Sequence, residues 1–102
     1  MEQVKIHGVL EGTLKVSLSG DIDLGNADAF YETVAAAYKA TPANLLFDCE
    51  KLAFIDSTTL GTFVKLLKTA KTNGHTLKLV GLQSKIKKLF LICSLDSIME
   101  IA

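Results

Sequence analysis

The 102-residue chain contains no arginine; all eleven basic residues are lysine. Arginine is the usual residue for bidentate recognition of phosphates and base edges. The few aromatic residues do not interleave with the lysines either, so direct nucleic-acid binding is not expected. Uninterrupted apolar runs stop at five residues, as in Leu89 to Cys93, against the ~20 needed to span a bilayer. No membrane insertion is expected. Met1 to Lys5 leads straight into alternating residues, so no secretory signal is expected. Cys49 and Cys93 lack any Cys-x-x-Cys spacing, which argues against a disulfide framework and against zinc. His7 and His75 have no ligand partner near them in the sequence, and no metal site is expected. No His stands at a useful spacing from Cys or Ser, and no Gly-rich phosphate loop is present. The chain therefore reads as non-enzymatic, without catalytic residues or a cofactor, and the cytoplasm is its simplest location.

Hydrophobic residues make up 49% of the chain and charged residues 22%, a globular composition. The length suits one domain over residues 1–102. Net charge is zero but unevenly spread. Residues 1–50 carry −5, residues 51–91 carry +7 with Asp56 as their one acid, and Asp96 and Glu100 restore the balance. Lys65, Lys68 and Lys71, and then Lys85, Lys87 and Lys88, read as solvated helix faces.

Val4, Ile6 and Gly8 alternate with polar residues, as do Leu14, Val16 and Leu18. This period of two marks half-buried strands, and Glu11-Gly12 between them reads as a hairpin turn. Gly20-Asp21-Ile22-Asp23 reads as a loop. Ala27, Phe30, Tyr31, Val34 and Tyr38 form a helical stripe that Thr41-Pro42 ends. Leu45-Leu46-Phe47 has the continuous apolar character of a strand buried on both faces, before polar residues Asp48 to Lys51. A second helix begins at Asp56-Ser57-Thr58-Thr59, carries Leu60, Phe63, Val64 and Leu67, and closes at Asn73-Gly74. Leu77, Leu79 and Val80 form a strand. A third helix from about Leu82 places Ile86, Leu89, Phe90 and Cys93 on one face, with Leu91 and Ile92 left as a small exposed patch. Asp96 to Ile101 offers a last short strand. Strands alternating with helices in this order predict an α/β fold. Its sheet has four to five strands, mixed but mostly parallel after an opening β-hairpin, with flanking helices. In such sheets the working surface lies beyond the carboxyl ends of the strands. Two acid-bearing loops fall there, Asp21-Ile22-Asp23 and Asp56-Ser57-Thr58-Thr59.

Phe54-Ile55-Asp56-Ser57-Thr58-Thr59-Leu60-Gly61 sets an acid and three hydroxyls at a helix start. One such residue suffices to cap the free N–H groups. Three consecutive hydroxyls exceed that need. Together with Ser19-Gly20-Asp21-Ile22-Asp23, Asn44 to Asp48 and Asn73 to Leu82, this run resembles the STAS domain, the fold of bacterial anti-anti-sigma factors. The resemblance covers nearly the whole chain without insertion. The family signature is usually Asp-Ser-Ser/Thr-Gly-Leu-Gly, and a partner kinase phosphorylates its third residue. That residue corresponds to Thr58, with Ser57 as the alternative acceptor. Asp56 matches the signature acid, Asp23 the acid of the neighbouring loop, and Leu60 and Gly61 keep their places. Thr59 stands where the family commonly has glycine and is expected to add bulk beside the acceptor.

The resemblance implies an anti-sigma factor antagonist. Its partner would be an anti-sigma factor with serine/threonine kinase activity, bound through Asp21, Asp23, Asp56, Ser57, Thr59, Leu60 and Gly61. Phosphorylation at Thr58 would release that partner, and nothing demands more than a monomer. Single-domain STAS proteins also resemble the small cytosolic subunit of lipid-transporting ABC complexes, where a threonine commonly stands in the loop. A third alternative for the chain is a scaffold module of a stress-sensing assembly, which uses the same surface.

Overall fold

In the computed structural model, which describes residues 1–102, the chain opens with a hairpin. Strands β1 (Val4–Leu10) and β2 (Thr13–Ile22) pair antiparallel, from Val4 opposite Leu18 to Leu10 opposite Thr13. The connecting residues Glu11 and Gly12 have φ of +52° and +77°. Two positive values in a two-residue loop make a type I′ turn, whose twist matches that of the flanking strands. Helix α1 (Ala27–Ala40), strand β3 (Asn44–Ile55), helix α2 (Ser57–Thr72), strand β4 (Leu77–Val80) and helix α3 (Ser84–Ile92) follow, then a 3-10 turn at Leu95–Ser97 and strand β5 (Glu100–Ile101). The strands lie side by side in chain order, and every pairing after the hairpin is parallel. The mixed α/β sheet is as expected. Its last strand sets Ile101 beside Leu79 and brings Lys78 within 3.6 Å of Glu100.

All three helices gather on one face. Phe47 of β3 meets Phe30 of α1 and Phe63 of α2 edge-on, with centroids 6.1 and 5.3 Å apart, and Phe63 meets Phe90 of α3 at 5.5 Å. Such pairs add about 0.5–1.5 kcal/mol each beyond their buried area. The stripes on α1 and α2 pack into this core as read from the sequence, with Tyr31 and Val64 half-buried at its margin. Leu45 and Phe47 are buried but Leu46 between them is only half-buried. The expected burial of this run on both faces is therefore corrected, since no helix covers the second face and Lys15 stands exposed on it.

The strands run further than the sequence pattern suggests. Gly20-Asp21-Ile22 is not a loop but the end of β2, where Asp21 pairs with Phe54 and Ile22 with Ile55. The polar stretch Asp48 to Lys51 lies inside β3. The β2–β3 register slips between Ser17 and Ser19 and again between Gly20 and Asp21, each time giving β3 one extra residue. These are bulges, which break the alternation without ending the strand. Gly81, at φ +75°, permits a close approach at the end of β4; a Cβ there would lie 2.7 Å from Glu50 Cγ. Helix α3 starts two residues later than expected. Only Ile86 and Phe90 are buried on it, whereas Leu89 and Cys93 are exposed, because the nine-residue helix packs through a single i, i+4 pair. Leu91 and Ile92 are exposed as expected.

Candidate functional site

The carboxyl ends of β2 and β3 are neighbours in the sheet, so the segments that leave them meet. Asp56 is the N-cap of α2 in extended geometry, and its Oδ1 accepts the Thr59 N–H at 3.1 Å. Its other oxygen, Oδ2, accepts the backbone N–H of Leu24 at 2.9 Å. The Thr59 hydroxyl donates to the carbonyl of Ile22 and lies 3.2 Å from Asp56 Oδ1. One carboxylate and one hydroxyl thus tie the start of α2 to the end of β2 and to the turn after it. Desolvation pushes the Asp56 carboxyl up. Hydrogen bonds from the Leu24 and Thr59 N–H groups, with the Thr59 hydroxyl and the Thr58 N–H close by, outweigh it and hold the group below its ordinary value. The positive end of the α2 dipole favours the same charged form.

The turn between β2 and α1 is closed by its own polar groups. Asp23 Oδ1 accepts the Gly25 N–H at 2.9 Å, and the Asp23 carbonyl accepts the N–H groups of Asn26 and Ala27 at 3.1 and 2.8 Å. Asn26 accepts the Asp23 N–H at 2.8 Å and donates to the Asp21 carbonyl at 3.0 Å. Side chains of Asp and Asn that bond nearby backbone stabilise such turns. At the tip of this pinned turn Leu24 is 75% exposed. Asp21 is exposed and its carboxylate stands outside the network.

The residues of the signature run divide by direction. Ser57 and Gly61 are exposed and Thr58 is partly exposed; a Cβ built at Gly61 meets nothing within 4 Å. Thr58 gives its carbonyl to the Thr62 hydroxyl at 3.1 Å, while its own hydroxyl stands free of the network. Thr59 is fully buried. The expectation that it crowds the acceptor is corrected, because successive helical residues point about 100° apart and Thr59 faces the sheet. Its side chain is buried, and so is that of Leu60 at 8% exposure. Leu24, Asn26 and the half-exposed Phe54 beside Asp21 were not singled out from the sequence. An apolar residue set between Asp23 and Gly25-Asn26 was the available signal for Leu24.

The histidines and thiols lie elsewhere. His7 Nε2 is 2.6 Å from Ser17 Oγ, and His75 Nδ1 is 2.5 Å from the Tyr38 hydroxyl. No three His, Cys, Asp or Glu side chains converge as metal ligands. Cys49 is buried, and burial, aided by the charge of Asp48, pushes its thiol up to about 12. No helix is long and apolar enough to cross a membrane.

Comparison with known proteins bears on the family and the fold. The anti-sigma-B factor antagonist of Bacillus subtilis (strain 168) is 32% identical over 92 residues, covering 90% of this chain and 84% of its own. An anti-sigma factor antagonist from Mycobacterium paratuberculosis superposes with a TM-score of 0.84 at 19% identity, over 96% of this chain and 82% of that one. The Bacillus cell fate determinant SpoIIAA in its phosphorylated form superposes at 0.76 and 18% identity, over 97% and 90%. Those two likenesses bear on the fold alone. The model of the STAS domain matches residues 4–102, and this chain is a member of the STAS-domain family.

Proposed function

We propose that this chain is a cytoplasmic, monomeric anti-sigma factor antagonist, one domain over residues 1–102, switched by phosphorylation of Thr58. Unmodified, it binds an anti-sigma factor through the Asp21–Asn26 turn and the exposed side of the first α2 turns, Ser57, Thr58 and Gly61, and so frees a sigma factor. Asp56, Thr59 and Leu60 hold that surface from beneath. The observation that carries the proposal is the Thr58 hydroxyl. Thr58 is partly exposed at a helix start, and its hydroxyl stands outside the hydrogen bonds that Asp56 and Thr59 make beside it.

The chemistry belongs to the partner. Its kinase activity, working on ATP bound in its own site, moves the γ-phosphoryl group to Thr58 Oγ1. The hydroxyl proton passes to a base of the kinase and ADP leaves. The product carries about −1.5 to −2 extra charge. The N-terminal end of α2 tolerates that charge, but Asp21, Asp23 and Asp56 already make this end of the molecule acidic. A surface that docks when Thr58 is neutral meets like-charge repulsion afterwards, worth several kcal/mol at an interface. About 3 kcal/mol is already a hundredfold in affinity.

The first test is a tagged pull-down from the native cell, comparing wild type with Thr58→Asp and Thr58→Ala. A kinase-type anti-sigma factor held by wild type and Thr58→Ala but lost with Thr58→Asp is the expected result. Equal capture by all three forms sinks the switch. Capture of permease and ATPase subunits, insensitive to the substitution, moves the chain to a transporter role. Mass spectrometry after incubation with the captured kinase and ATP assigns the phosphate to Thr58 or to Ser57.

A further inference from the structure

Resting on the anti-sigma factor antagonist function proposed above, we infer that Thr59 is a positioning residue for partner recognition and that Leu24 is the anchor it positions. Thr59 occupies the point where three segments converge. Its hydroxyl donates to the carbonyl of Ile22 at the end of β2, and its N–H binds the same Asp56 carboxylate whose other oxygen holds the Leu24 N–H. The side chain is fully buried between sheet and helix. A glycine here would keep the N–H that binds Asp56 but leave the Ile22 carbonyl without this donor.

The consequence falls on Leu24. A single exposed leucine is ordinary on a protein surface. This one is 75% exposed in a turn whose backbone is held at Asp23, Leu24 and Gly25, by Asn26, Asp56 and Asp23 respectively. An apolar side chain presented from a backbone held at three successive residues has less entropy to lose on docking, which favours an anchor over incidental contact. The chain from Thr59 through Asp56 to Leu24 also places that anchor and the Thr58 hydroxyl on one rigid support. A partner must then seat Leu24 in an apolar pocket while it reads the charge state of Thr58.

Thr59→Val keeps the volume and removes the hydroxyl, Thr59→Ser keeps the hydroxyl, and Leu24→Ala removes the anchor. Amide hydrogen exchange at Leu24 reads the support without any partner. It is expected to quicken at least tenfold in Thr59→Val and to stay near wild type in Thr59→Ser. Each purified anti-sigma factor encoded in the same genome is then titrated with all four proteins. At least tenfold weaker binding by Thr59→Val and by Leu24→Ala, with recovery in Thr59→Ser, supports the inference. Unchanged Leu24 exchange in Thr59→Val overturns it, as does faster exchange with undiminished affinity. If none of those anti-sigma factors binds the wild type, the proposed function fails and the positioning role toward a partner falls with it. The exchange rates would still report whether Thr59 supports the turn.

Discussion

Asp56 Oδ2 accepts the backbone N–H of Leu24 at 2.9 Å, joining two residues 32 positions apart in the chain. A helix cap needs only the Thr59 N–H bond that Oδ1 makes. The second oxygen turns the cap into a link between the two loops at the carboxyl ends of β2 and β3, so the surface around Thr58 is shaped by both.

The link is expected to depend on acidity in a defined direction. Hydrogen bonds hold Asp56 below the ordinary aspartate value of 3.8. A depressed carboxylate contributes its stability in full above the unfolded value, and that contribution is lost as pH falls through the lower, folded one. A carboxyl-carbon NMR titration should place the Asp56 midpoint below 3.8, with the Leu24 and Thr59 amide signals moving at the same midpoint. A midpoint at or above that value would show that the carboxylate does not hold these donors.

Thr58 and Thr59 are adjacent and chemically identical, yet their substitution should differ sharply in cost. Thr58→Ala removes a hydroxyl outside the network and should change stability by no more than about 0.5 kcal/mol. Thr59→Val leaves the buried Ile22 carbonyl without this donor and should cost about 1–3 kcal/mol. Urea unfolding of both variants measures the contrast; equal losses would contradict the different burial of the two side chains.

Gly61 is helical and open above its α-carbon. Gly61→Ala should stabilise the fold by about 0.8–1 kcal/mol through helix propensity. It also adds a methyl group to the proposed docking face, so affinity for the anti-sigma factor should fall while thermal stability rises. A variant that is both more stable and equally tight in binding would remove Gly61 from the interface.

The two thiols should behave oppositely. Cys93 is exposed, whereas Cys49 is buried with its thiol pushed up to about 12. Since the thiolate is the reactive form, native protein at pH 8 should release one equivalent with a thiol reagent. The second equivalent should follow only after unfolding. Rapid modification of both thiols in native protein would show that β3 opens readily.

Much of the architecture was legible because it rests on local rules. The hairpin turn at Glu11-Gly12 declares itself in two residues. The α1 and α2 stripes repeat within one or two turns, and Asp56 and Asn73-Gly74 mark the ends of α2 on the spot. The candidate site was legible as far as its acid and its hydroxyls. Its division into outward and inward residues was not. Thr58 and Thr59 look alike in a sequence, and only the position of the sheet makes one of them a buried support. The middle of β3 misled for a related reason: two bulges insert residues that break the period of two, so a continuous strand reads as a strand, a polar gap and an extension.

By itself the sequence determined the order of strands and helices, where α2 starts, and which residues carry hydroxyl and carboxylate groups at that start. These depend on capping, periodicity and turn chemistry among residues a few positions apart. The tertiary structure alone decided that the helices cover one face of the sheet, that Asp56 reaches Leu24, and that Thr59 reaches Ile22. Each joins residues far apart in the chain, and no pattern along the chain encodes which distant backbone group a buried hydroxyl or carboxylate will meet.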